Sequence, residues 1–302
     1  MLRPLERREF LGSALAAGAA LAAGLPIRAA VAAEPGKTAN PICVFIKLIQ
    51  SLSYEELADT VADMGCDGIE ATVRRGGYIA PEKAPDELPK LVEALQKRNL
   101  KVTMITTDIL RADEPNTRPL LKTAVQLGIP MYRMGFYRYD LKRPVMPQLE
   151  ALAAPVKELA ALNRELGIQA VYQNHSGPDN VGAAVWDFYS LIKDIPKQEI
   201  ALAFDIRHAT IEAGLSWPTV YNAMLPCIGA VYVKDFAWTG RDVKHVPLGE
   251  GRVDPKFFRQ LKADNFTGPI SLHVEYLGDG STQENVAALR RDLATLRSWL
   301  DA

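Results

Sequence analysis

Residues 145–175 read VMPQLEALAAPVKELAALNRELGIQAVYQNH, and they hold the unit from which the fold is built. Apolar residues Leu149, Leu152, Ala153 and Val156 recur at i, i+3, i+4 and i+7, the period of a helix with one buried face. Gly167 ends that run, as an αβ connection requires, and QAVYQNH then alternates like a strand. The same switch of period recurs on both sides. Working outward, the strands are ICVFIKL from Ile42, GIEATV from Gly68, KVTMITTDI from Lys101, MYRMGFY from Met131, QAVYQNH from Gln169, IALAFDI from Ile200, GAVYVKD from Gly229 and PISLHVEY from Pro269. Helical runs such as SYEELADTVADMG, APDELPKLVEALQKRN, GAAVWDFYSLIKDI and NVAALRRDLATLRSWL follow them, and Gly65 and Gly128 close two more. Eight βα units in about 260 residues predict a (β/α)8 TIM barrel. A doubly wound sheet is the competitor, but no GxGxxG or GxxxxGK[ST] follows any strand. No Pro/Ser/Gly-rich linker divides the chain, so residues 34–302 read as one domain, with GGYIAPEKAPDELP as a long loop after strand two.

The chain has 302 residues, of which 48% are hydrophobic and 24% charged. With 35 basic against 36 acidic side chains there is no field to condense a polyanion, so nucleic acid is excluded as an expected partner. Cys43, Cys66 and Cys227 form no CxxC pair and read as small core residues.

The first stretch is not part of the barrel. Arg7 and Arg8 open RREFLGSALAAGAALAAG, a basic patch before an Ala/Leu/Gly segment too short and too weakly apolar for a membrane span. Residues 1–33 therefore read as a twin-arginine signal, with cleavage between Ala32 and Pro35. An ordinary secretory signal with incidental arginines is the alternative. The expected location is the periplasm, reached through the twin-arginine export machinery, with no stable membrane anchor after processing. Loss of four arginines and two glutamates takes the formal charge from −1 to −3.

Barrel chemistry gathers at the C-terminal ends of the strands. All four histidines fall there: His175, His208, His245 and His273. Glu70, Asp205, Asp235 and Glu275 join them. Period-two alternation puts Val171, Gln173 and His175 on one face, as it does Ala230, Tyr232 and Lys234, and Ser271, His273 and Glu275. Nitrogen and oxygen donors without thiolates suit Mn²⁺, Mg²⁺, Co²⁺ or Zn²⁺, any of which could polarise a sugar carbonyl.

The segments EELADTVADMGCDGIEATV, VYQNH, AFDIRHA, VYVKDF and VPLGEGRVDPKFFRQLKADNFTGPISLHVEY resemble the sugar phosphate isomerase/epimerase superfamily. These are the xylose isomerase-like TIM barrels, which include inosose dehydratases, ketose 3-epimerases and endonuclease IV. The resemblance implies a divalent metal held by Glu, Asp, His and Glu from strands five to eight, the two glutamates serving as acid and base. Asp205 matches the second ligand and His208 the substrate-side histidine. Gln173, Tyr232 and His273 stand at the other three positions. A metal site rebuilt from Gln173, Asp205 and His273 is one expectation. The other is a lost metal, with Lys234, His208 and Glu275 holding the substrate.

Either way, the reaction implied is removal of a proton next to the carbonyl of a sugar or keto sugar. The enolate is then reprotonated by an isomerase or epimerase, or expels a β-substituent in a lyase or dehydratase, for instance on a 3-keto glycoside. Glu275, His175 and Lys234 are the expected catalytic residues, with Glu275 the leading base. Glu70, His208, Asp235 and Trp238 are expected to bind substrate. Phosphorylated substrates are disfavoured by the lack of a phosphate cradle, and endonuclease action by the acidic charge. A non-catalytic sugar-binding barrel is the reading from another class, kept open by Trp186, Trp217 and Trp238; Trp238 and Phe236 could stack on a sugar ring.

Overall fold

Side chains sort by period two along each strand. In β5 (Gln169–Gln173) Ala170 and Tyr172 face the helices while Val171 faces inward; in β6 (Ile200–Asp205) Leu202 and Phe204 face the helices while Ala201 and Ala203 face inward. Strand β7 (Ile228–Val233) repeats the pattern, with Val231 and Val233 outside and Ala230 and Tyr232 inside. The inward residues Cys43, Met104, Met131, Val171, Ala201, Ala203, Ala230 and Tyr232 form a separate buried cluster, the barrel interior. Three alanines among them leave room for Tyr232.

The structure is a computed structural model, described over residues 40–302; residues 1–33, where a signal is expected, lie outside the described residues. The remaining barrel strands are β1 (Ile42–Phe45), β2 (Gly68–Thr72), β3 (Lys101–Thr106), β4 (Met131–Arg133) and β10 (Ile270–Leu272). They close in the order β1-β10-β7-β6-β5-β4-β3-β2, every pair parallel, with Ile42 against Ile270 at the seam. The expected (β/α)8 barrel is therefore the fold.

Around it run α1 (Tyr54–Asp63), α2 (Ala84–Gln96), α3 (Thr117–Gln126), α4 (Val145–Ala151) and α5 (Ala153–Leu166). The second half carries α6 (Trp186–Ile192), α7 (Ile206–Ala213), α8 (Trp217–Met224), α9 (Lys256–Ala263) and α10 (Thr282–Asp301). Local chemistry sets their ends: Ser53 and Glu56 form a reciprocal cap on α1, and α5 stops at Gly167, whose φ of 71° is the left-handed conformation that glycine tolerates.

Two expectations are corrected. The stretch after β7 is not a plain loop but an antiparallel hairpin, β8 (Asp235–Thr239) with β9 (Asp242–Val246), which pairs Phe236 with His245. Strand eight is shorter than PISLHVEY, since β10 ends at Leu272 and leaves His273 and Glu275 on the connection beyond it.

Candidate active site

Asp205 closes β6 and caps α7, its Oδ1 accepting the backbone N–H of His208 at 3.1 Å. Its Oδ2 accepts Gln173 Nε2 at 2.7 Å and lies 3.4 Å from Lys234 Nζ. Lys234, the next inward position past Tyr232, donates to Glu275 Oε2 at 2.9 Å, while Lys47 Nζ stands 3.6 Å from Oε1. A buried ammonium thus sits between two carboxylates at the mouth. Burial alone would raise the Glu275 pKa, but the Lys234 charge, then His273 and Lys47, hold it far below the ordinary range.

Two imidazoles lie beside this ion pair, with ring centres 4.1 Å apart. His175 Nδ1 donates to the Ser176 carbonyl oxygen at 3.0 Å. A carbonyl only accepts, so the proton is on Nδ1 and Nε2 presents a lone pair. His208 is the opposite tautomer: Arg207 Nη1, which can only donate, reaches its Nδ1 at 3.0 Å, and Ser176 Oγ reaches the same nitrogen at 2.7 Å. The proton is then on Nε2, which is buried, lies 3.5 Å from Asp205 Oδ2 and makes no hydrogen bond of good geometry. Burial, followed by the Lys234 charge, lowers both pKa values, that of His208 strongly, so both rings are neutral at neutral pH. His245, on β9, is also pushed down, to about 4, by burial and then by Arg207.

Glu70 does not reach the mouth. It is fully buried, and its carboxylate accepts Thr106 Oγ1 (2.5 Å), Tyr232 OH (2.8 Å) and Ser271 Oγ (2.6 Å), with His273 Nε2 at 3.1 Å. Burial opposes its charge, but His273, Arg133 and the Ser271 hydrogen bond together hold its pKa at about 2. It organises the barrel floor and presents no free oxygen to a substrate. Asp235 is corrected likewise. Its two oxygens accept five backbone N–H groups, from Phe236, Gly249, Gly251, Arg252 and Val253, so it anchors the loop over 247–253. Trp238, by contrast, is 45% exposed on β8, edge-on to buried Phe236.

The expected metal ligands do not converge. Gln173 turns its acceptor Oε1 to Arg133 Nη1 at 2.6 Å and offers Asp205 an N–H. His273 is stacked on Phe45 and Tyr232 and bonded to Glu70 below. Asp205 faces the Lys234 ammonium in place of a metal ion. Among the described residues no group of three or more His, Cys, Asp or Glu is arranged to hold a metal ion. The donors of this mouth are engaged by side-chain cations, and the residues do not fit a divalent ion.

Lys47, Ser176, Arg207 and Arg133 went unread in the sequence. Arg133 had a signal, since alternation from inward Met131 puts it inside at the end of β4. Of the three free cysteines, Cys43 and Cys66 are buried as expected, while Cys227 is only half-buried.

The model of the family described as Xylose isomerase-like TIM barrel matches residues 58–299. No curated protein matches the chain in sequence. Among solved structures, a 3-keto-D-glucoside 4-epimerase from E. coli superposes with a TM-score of 0.65 at 17% identity, over 86% of this chain and 99% of its own. A probable 3-DHS dehydratase from Bacillus anthracis gives 0.66 at 13%, over 85% and 98%. A xylose isomerase-like TIM-barrel protein from Mycobacterium smegmatis, in complex with magnesium, gives 0.64 at 18%, over 87% and 99%. These likenesses concern the fold. From the family match over most of its length, the chain belongs to the xylose isomerase-like TIM-barrel family.

Proposed function

We propose that this chain is a carbohydrate-active enzyme that removes a proton next to the carbonyl of a keto sugar, with Lys234 rather than a metal beside the reacting oxygen. The observation that carries this reading is the pair of neutral imidazoles of opposite tautomer next to a buried ammonium. His175 Nε2 accepts the proton. The electron pair moves onto the carbonyl oxygen, where Lys234 Nζ and the His208 Nε2–H, which Asp205 Oδ2 approaches only to 3.5 Å, stabilise the growing negative charge. Glu275, drained of basicity by two lysines, orients Lys234 instead of serving as the base. Exposed Trp238 offers its face to a sugar ring.

Collapse of the enolate then re-forms the carbonyl, expels the β-substituent with its bonding pair, and leaves a double bond: a lyase. Reprotonation of the same enolate gives an isomer or epimer. Elimination is the better fit because inversion needs a second proton donor on the opposite face, and Gln173 and His273 stand where the resemblance places the paired glutamates. The reading includes export, on the strength of Arg7 and Arg8 ahead of the weakly apolar segment.

The test follows the proton by NMR in D₂O, on a 3-keto glycoside. The wild type is expected to wash out the hydrogen next to the carbonyl, and His175→Gln to do so about 10² to 10⁴ times more slowly. An unchanged rate in His175→Gln contradicts the assignment.

A further inference from the structure

Every carboxylate at the mouth already has its partners. Asp205 meets Gln173, Lys234 and the His208 N–H; Glu275 meets Lys234 and Lys47; Asp235 is spent on five backbone N–H groups; and Glu70 is closed beneath the mouth by four donors. Arg133 is different. It is 5% exposed, and among the described residues its side chain makes one hydrogen bond, from Nη1 to the neutral oxygen of Gln173. Its Nε is buried and makes no hydrogen bond, Nη2 makes none with the described residues, and its nearest counter-charge, the Glu70 carboxylate beneath it, acts on it without an ion-pair contact because four other donors already fill that carboxylate. Phe45 and Phe136 flank the guanidinium at 5.6 and 5.1 Å and hold it in place. Arg74, half-buried just past β2, feels the Arg133 charge, with Asp108, Glu70 and Glu275 acting on it in the opposite sense.

A buried guanidinium with an unused donor is costly unless an acceptor completes it. With Nη1 engaged, the free edge is Nε and Nη2, two parallel donors that match the two oxygens of a carboxylate. Gln173 bonds both Arg133 Nη1 and Asp205, and Asp205 faces Lys234, so the guanidinium and the catalytic ammonium are joined in one network.

We infer that Arg133, supported by Arg74, binds a carboxylate of the substrate, and that the substrate class is therefore an acidic sugar such as a uronate rather than a neutral one. This rests on the proposed function, but its test reads binding alone and is independent of turnover. Calorimetric titration of the full mature chain would compare D-glucuronate with its uncharged methyl ester, and with inorganic phosphate. Glucuronate is expected to bind at least about tenfold more tightly than the ester. That preference should be lost in Arg133→Gln and weakened in Arg74→Gln. Arg133→Lys, which keeps the charge but not the fork, should retain only part of it, a distinction that a merely structural role would not produce. Equal affinity for acid and ester, absence of binding of both, or a preference unchanged in a folded Arg133→Gln protein overturns the inference. Phosphate binding more tightly than glucuronate overturns the carboxylate assignment.

Discussion

His175 and His208 are the same residue type 4.1 Å apart, yet one offers a lone pair and the other an N–H, because a carbonyl meets one Nδ1 and an arginine the other. The sign of the pH dependence follows. The base acts when unprotonated, and burial with the Lys234 charge lowers the His175 pKa, so its active form is already dominant at its ordinary value of 6.5. The acid limb of the proton-exchange rate is expected below pH 6.5, and a limb above it would contradict His175 as the base.

Glu70 gives the residue scale its stability prediction. Its pKa is held at about 2 against an ordinary 4.5, so its contribution is fully present above pH 4.5 and is lost as pH falls toward 2. Glu70→Gln is expected to cost on the order of 3 kcal/mol near neutral pH, or roughly 10 °C in melting temperature, shrinking as wild-type Glu70 protonates. Scanning calorimetry from pH 7 to 2 checks both size and convergence. Asp205, His208 and Lys234 were legible at this scale because strand alternation and the strand ends placed them. Glu70 and Asp235 were misread as substrate ligands, because a one-dimensional pattern locates a carboxylate without showing which N–H and O–H groups already fill it.

At the scale of elements, the strands were legible because buried parallel strands are apolar runs of period two: all eight expected stretches contain a strand, and the largest losses are at β4 and β10, which keep three residues each because the chain leaves the ladder early. The β8–β9 hairpin was not legible. Its strands are half-exposed and turn at Gly240 and Arg241, which is not one of the strong hairpin dipeptides. The loop over 247–253 requires glycine within VPLGEGRV: a Cβ on Gly251 would lie 2.2 Å from Asp235 Oδ1 and 2.4 Å from the Phe236 carbonyl oxygen. Gly251→Ala is expected to destabilise by about 1–3 kcal/mol and to open this loop first. Calorimetry with limited proteolysis should show a lower melting temperature and new cleavage confined to the loop; wild-type behaviour in both would remove the anchoring role from Asp235.

For the whole molecule, the barrel brings Asp205 from β6, Lys234 past β7, Glu275 past β10 and the two histidines to one mouth, although 100 residues separate His175 from Glu275 in the chain. The convergence was legible, but the occupant of its centre was not. The sequence placed Lys234 beside candidate metal ligands; only the coordinates show its ammonium facing Asp205, Gln173 turned the wrong way to ligate, and His273 drawn down to Glu70. The most direct measurement is the proton-exchange rate of protein freed of metals by exhaustive chelation, compared with the same protein after Mn²⁺, Mg²⁺, Co²⁺ or Zn²⁺ is restored, and with Lys234→Ala. Metal-free wild type is expected to keep its full rate and Lys234→Ala to lose it. A rate abolished by chelation and recovered with a divalent ion would contradict the account.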